Sequence, residues 1–83
     1  MTKEEALNSI LRTYDAFYIE NKYDVGKTHK EEFEILEKTF EGNNYMLKVL
    51  NDIKHGYDCY YEEEMRKDTR IKWLINEVGA WMN

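Results

Sequence analysis

The chain has 83 residues, 42 % apolar and 35 % charged, with a formal net charge of −5, one cysteine and no proline. That length makes one domain, residues 1–83, with a thin core, and the apolar content is too high for a disordered tail. The longest apolar run, Ala16-Phe17-Tyr18-Ile19, is far short of the roughly 20 residues that cross a bilayer, no apolar signal core follows Met1, and Cys59 alone closes no internal disulfide; a cytoplasmic protein is expected.

Residues 2–20 read as the first helix. Thr2 followed by Glu5 has the form of a capping box, and Leu7, Ile10, Leu11, Tyr14, Phe17 and Tyr18 recur at three-and-four spacing on one stripe. Asn21 to Lys27 reads as a loop. A second capping box, Thr28 with Glu31, opens a helix over 28–41 with Phe33, Leu36 and Phe40 inward and Glu34–Lys38 as a surface pair. Gly42 closes it in the left-handed conformation open to glycine, and Asn43 or Asn44 caps the next helix.

The third helix, 44–67, places Met46, Val49, Leu50 and Ile53 at core spacing. Gly56 either ends it or bends it. Because the apolar phase continues through Tyr57, Tyr60, Tyr61 and Met65, and a mid-helix glycine costs only about 1 kcal/mol, one long helix is the favoured expectation. Glu62–Arg66 and Glu63–Lys67 would pair along it. The phase then breaks, so Asp68 or Thr69 caps a last helix, 69–82, with Ile71, Leu74, Ile75, Val78 and Met82 inward. The sum is an all-α bundle of about four helices.

Charge is unevenly spread. Residues 31–64 hold ten carboxylates against three lysines, residues 1–30 are balanced, and residues 65–83 hold four cations against two acids. Such a field repels nucleic acid and attracts basic protein surfaces. The candidate partner-binding residues are Glu31, Glu34 and Glu41 on the second helix, then Tyr57, Tyr60, Tyr61, Glu62, Glu63 and Glu64. Tyrosine and tryptophan suit an interface, offering large area with few torsions and a polar tip, and seven tyrosines, three phenylalanines and two tryptophans exceed what so small a core easily hides. Carboxylates spaced on rigid helices can also imitate phosphates.

Three competing chemistries are weaker. Arg66, Lys67, Arg70 and Lys72 beside Trp73 could meet phosphates and stack on a base, but the net charge opposes it and no further basic stripe exists. Asp52, His55, Cys59 and Glu62 share a helix face at ligand spacing, yet zinc motifs bring paired ligands from two elements. His55 and Cys59 lack the third orienting group and the glycine-rich elbow of a thiolate enzyme. No catalytic residue, metal or cofactor is therefore expected.

In its Lys/Glu/Asn/Tyr-rich usage and all-helical pattern the chain resembles many small accessory proteins of bacteriophages and other mobile elements. The acidic stretch and the surplus aromatics lead to the expectation of a small acidic protein–protein interaction module, in its sharper form an inhibitor of a nucleic-acid-handling host protein. The alternatives are a nucleic-acid-binding regulator using the basic last helix and a homo-oligomeric accessory protein, a homodimer for instance.

Overall fold

The computed structural model describes residues 1–57 and 67–82, with the side chains of Lys67 and Asp68 excepted. Its helices are α1 (Lys3–Ile19), α2 (Val25–Thr28), α3 (Lys30–Thr39), α4 (Asn44–Lys54) and α5 (Lys67–Trp81). There is no strand among the described residues, so the all-α reading holds.

Helix α1 starts as its sequence dictates. The Glu5 amide donates to Thr2 Oγ1 at 3.1 Å and the Thr2 amide to Glu5 Oε1 at 3.0 Å, satisfying two donors that a helix start otherwise leaves open. The Thr2 backbone amide, then its hydroxyl, hold the Glu5 carboxyl below its ordinary pKa. Along the helix Ile10, Tyr14 and Phe17 are buried, while Leu7, Leu11 and Tyr18 are only partly so. The small residues Ala6, Ser9, Thr13 and Ala16 complete the buried arc and let neighbouring helices approach closely. Tyr14, Phe17 and Tyr18 form an aromatic cluster, the Phe17 and Tyr18 rings edge to face at 5.4 Å.

The expected 28–41 helix begins differently. Thr28 does not cap it: its hydroxyl donates back to Glu20 Oε2 and to the Val25 carbonyl, and His29 stands at the start of α3 without a side-chain cap. The chain turns helical earlier because Val25 is fully buried, which draws the preceding segment into the turn α2. Gly26 makes that docking possible, since a Cβ there would lie 2.6 Å from the Lys54 carbonyl oxygen. Behind it Phe33, Leu36 and Phe40 are fully buried, as their spacing requires. The expected Glu34–Lys38 pair is replaced by Lys30–Glu34, at 3.9 Å.

At Gly42 φ is +92°, and the Asn43 amide returns to the Phe40 carbonyl at 2.8 Å. Asn43 caps α4 through Met46 N–H and sends its amide nitrogen to Glu77 Oε1 of α5 at 3.1 Å. Of the two alternatives at Gly56, the structure takes the break: α4 ends at Lys54 and Gly56 has φ +74°. The Gly56 amide bonds the Ile53 carbonyl and the Tyr57 amide the Asp52 carbonyl, the paired bonds of a Schellman ending. Two satisfied carbonyls outweigh phase continuity here. Whatever the sequence predicts for 58–66, including the Glu62–Arg66 pair, lies outside the described residues.

Helix α5 packs antiparallel on α1. Leu74 and Val78 are buried, Ile71 and Met82 partly so, but Ile75, expected inward, is 41 % exposed. The place on the stripe one turn before Leu74 belongs to Arg70, which is 1 % exposed. Its Nε donates to the Tyr14 hydroxyl at 3.2 Å and its Nη1 to the Tyr45 hydroxyl at 2.9 Å, with the guanidinium carbon 5.6 Å from the Tyr45 ring centre.

Candidate partner-binding surface

Helix α3 carries four carboxylates, and the fold sorts them. Glu32 turns to α1, accepting from Ser9 Oγ at 2.9 Å and Arg12 Nε at 3.0 Å. Glu37 turns to α4 and pairs with Lys54 at 3.3 Å. Those two acids hold helices together. Glu31 and Glu34 face outward, joined by Glu41 just past the helix end, and all three are exposed. Their arrangement follows from helical geometry: positions 31, 34, 35 and 38 share one face. Ile35 lies in the middle of that face and is 51 % exposed.

Thr39 stands one turn after Ile35 on α3. Thr39 Oγ1 donates to the Ile35 carbonyl and lies 3.7 Å from Met1 Sδ, while the Thr39 carbonyl accepts from Trp81 Nε1 at 3.2 Å. Met1 and Trp81 are both about half exposed. Trp81 and Met1 thus both meet Thr39, one turn of α3 after Ile35. Sequence spacing could not disclose this, because Trp81 reaches Thr39 across 42 positions.

The other expected residues scatter. Tyr57 is 66 % exposed and stacks on His55 with ring centres 5.8 Å apart; Tyr60, Tyr61, Glu62, Glu63 and Glu64 lie outside the described residues. In the basic cluster Lys72 and Trp73 are exposed, Arg66 and the Lys67 side chain are outside the description, and Arg70 is corrected from a surface cation to a core residue. Its spacing of four and eight from Leu74 and Val78 was the available signal, masked by its charge. Asp52 pairs with Lys48 at 3.0 Å, and His55 Nδ1 lies 2.9 Å from the Asn51 carbonyl, so that nitrogen donates there; Cys59 and Glu62 are outside the description. A shallow, open recess of about 270 Å³ lies between Tyr23, Gly26, Lys27, Lys54 and His55, and one of its lysines, Lys54, is neutralised by Glu37.

Among the described helices none is long and apolar enough to cross a membrane. Compared with models of known protein families, with curated proteins and with solved structures, the chain finds no match in any of the three.

Proposed function

We propose that this protein is a small acidic helical module that binds another protein, using the outward face of α3 and the adjoining end of α5. The observation that carries the reading is the setting of Ile35: a half-exposed aliphatic side chain on the α3 face that also carries exposed Glu31 and Glu34, with Trp81 bonded to Thr39 one turn further on. An apolar centre with a polar, charged rim is the usual anatomy of a protein–protein contact, and carboxylates in the rim select a basic partner. The sharper form of the proposal is an inhibitor whose carboxylates occupy the phosphate-binding groove of a nucleic-acid-handling host protein.

Direct binding of nucleic acid by α5 has less support, since the buried Arg70 does not reach a phosphate.

The test is capture from a bacterial lysate at low and high salt, with mass spectrometry, for the parent chain and for Glu31→Gln/Glu34→Gln/Glu41→Gln. A basic nucleic-acid-handling protein held by the parent at low salt, released at high salt and lost with the variant is the expected result. Identical capture by parent and variant would overturn the proposal. Sedimentation equilibrium of the purified chain separates the homodimer alternative.

A further inference from the structure

We infer that the recess between α2 and the end of α4 is a binding site for a small aromatic carboxylate, a second site that shares no residue with the α3 face. Its walls come from two elements. Tyr23, Gly26 and Lys27 belong to α2 and the loop before it, Lys54 and His55 to the end of α4. Two glycines let these elements meet: a Cβ at Gly26 would stand 2.6 Å from the Lys54 carbonyl oxygen, and one at Gly56 would meet the Lys22 carbonyl oxygen and the Tyr23 ring at 3.0 Å. Val25, next to Gly26 and fully buried, fastens α2 to the core. The walls are therefore set before a ligand arrives, which lowers the entropy lost on binding.

Size and lining name the occupant. A volume of about 270 Å³ falls below the roughly 300–1,000 Å³ of sites for drug-sized molecules, so one ring with one charged group is the fit. Tyr23, 65 % exposed, and exposed His55 offer aromatic surface to that ring. Among the described residues no carboxylate lines the recess. Around it Lys22, Lys27 and Lys54 stand against Asp24 and Glu37. Glu37 holds Lys54 at 3.3 Å, Lys22 lies 5.4 Å from the Tyr23 ring centre, and exposed Asp24 precedes α2. Asp52 is engaged by Lys48, and Glu20 by Thr28 and His29. The negative end of α4 also lies here, but its carbonyls at Asn51, Asp52 and Ile53 are taken by the amides of His55, Tyr57 and Gly56. The balance is one positive charge. Lys27, exposed and without an ion pair among the described residues, carries it to one carboxylate as a compact ammonium on a flexible stem.

The experiment titrates the full chain with benzoate, acetate or benzylamine and follows the backbone amide signals by two-dimensional NMR. Benzoate should shift the amides of Tyr23, Gly26, Lys27, Lys54 and His55 saturably. Acetate, which lacks the ring, and benzylamine, which lacks the anion, should each bind several-fold more weakly. Tyr23→Leu should weaken benzoate binding about 2- to 12-fold, the equivalent of one aromatic contact. Lys27→Gln should weaken it about 1.5- to 5-fold, the equivalent of an exposed charge pair, and Lys72→Gln on α5 should leave it unchanged. The same spectra report whether each variant keeps the parent fold; where Tyr23→Leu disturbs it, Lys27→Gln decides, since its side chain is exposed. Benzoate shifts that do not saturate at these amides would overturn the inference. So would acetate or benzylamine binding as tightly as benzoate, or a Lys27→Gln chain that binds benzoate as the parent does. Each of those results leaves the α3 face standing, because that surface is tested by capture with Glu31→Gln/Glu34→Gln/Glu41→Gln.

Discussion

Tyr14→Phe removes one oxygen from the core and tests the account of Arg70. The Tyr14 side chain is fully buried and Arg70 is 1 % exposed, so water cannot readily replace the hydroxyl that accepts from Arg70 Nε. A hydrogen bond to a charged group contributes about 1.5–3 kcal/mol, and a buried donor deprived of its acceptor bears most of that as lost stability. Against a total of about 4–12 kcal/mol for a domain this size, the loss is large. It corresponds to a fall in Tm of roughly 6–24 °C, at 4–8 °C per kcal/mol. Tyr45→Phe breaks the shorter contact to the same guanidinium, at 2.9 Å. Yet Tyr45 is 40 % exposed and solvent can follow its hydroxyl out, so the expected cost is about 0.5–1.5 kcal/mol. Urea unfolding followed by circular dichroism, with unchanged m-values, gives both numbers. A Tyr14→Phe protein within 0.5 kcal/mol of the parent, or a Tyr45→Phe protein that loses more than Tyr14→Phe, would refute the reasoning.

Gly56→Ala must hold a Cβ at φ +74° with the Lys22 carbonyl oxygen and a Tyr23 ring carbon each 3.0 Å away; the left-handed backbone alone costs about 1–2 kcal/mol. Gly42→Ala, also at positive φ but meeting only the Trp81 ring at 3.7 Å, should cost less, and chemical denaturation ranks the two. Asn43→Ala gives up the α4 cap, about 0.5–2 kcal/mol, together with the tie to Glu77. Asn43→Asp keeps the cap but sets two carboxylates together. Folding then raises a carboxyl pKa, so that variant should lose stability as pH rises through the carboxylate range. Glu5 has the opposite sign, because its folded pKa lies below the unfolded one. Its contribution is present above the unfolded value and lost as pH falls through the folded one, so Glu5→Gln should flatten the acid limb of a pH–stability curve.

Local chemistry was the legible part of the chain. The Thr2–Glu5 box, the glycine turn at Gly42 and the cap at Asn43 each need only residues within a few positions. The stripes Phe33–Leu36–Phe40 and Met46–Val49–Leu50–Ile53 are short and wholly apolar, and all are buried. Gly56 was ambiguous because the apolar phase crosses it unbroken; the deciding bonds are made by backbone amides, which side-chain patterns do not report. Thr28–Glu31 has the form of a capping box but is overridden by the burial of Val25, a tertiary effect. Arg70 misled because charge was weighed above position, and Ile75 moved outward as Arg70, Leu74 and Val78 took the inward face. Within the candidate surface, the exposed acids of α3 could be foreseen and the meeting of Met1 and Trp81 at Thr39 could not.

The division of labour among the α3 carboxylates sets how the protein answers to salt. Glu32 and Glu37 are already occupied by Arg12 and Lys54, and Glu34 is paired on the surface with Lys30, so a partner arriving at this face displaces mobile counterions chiefly from Glu31 and Glu41. The dependence of affinity on ionic strength should therefore scale with those two groups, together with the exposed Glu34–Lys30 pair, and not with the ten acids of residues 31–64. Binding through this face would fade gradually as salt is added, and the apolar contacts at Ile35 and Trp81 would set the floor that remains.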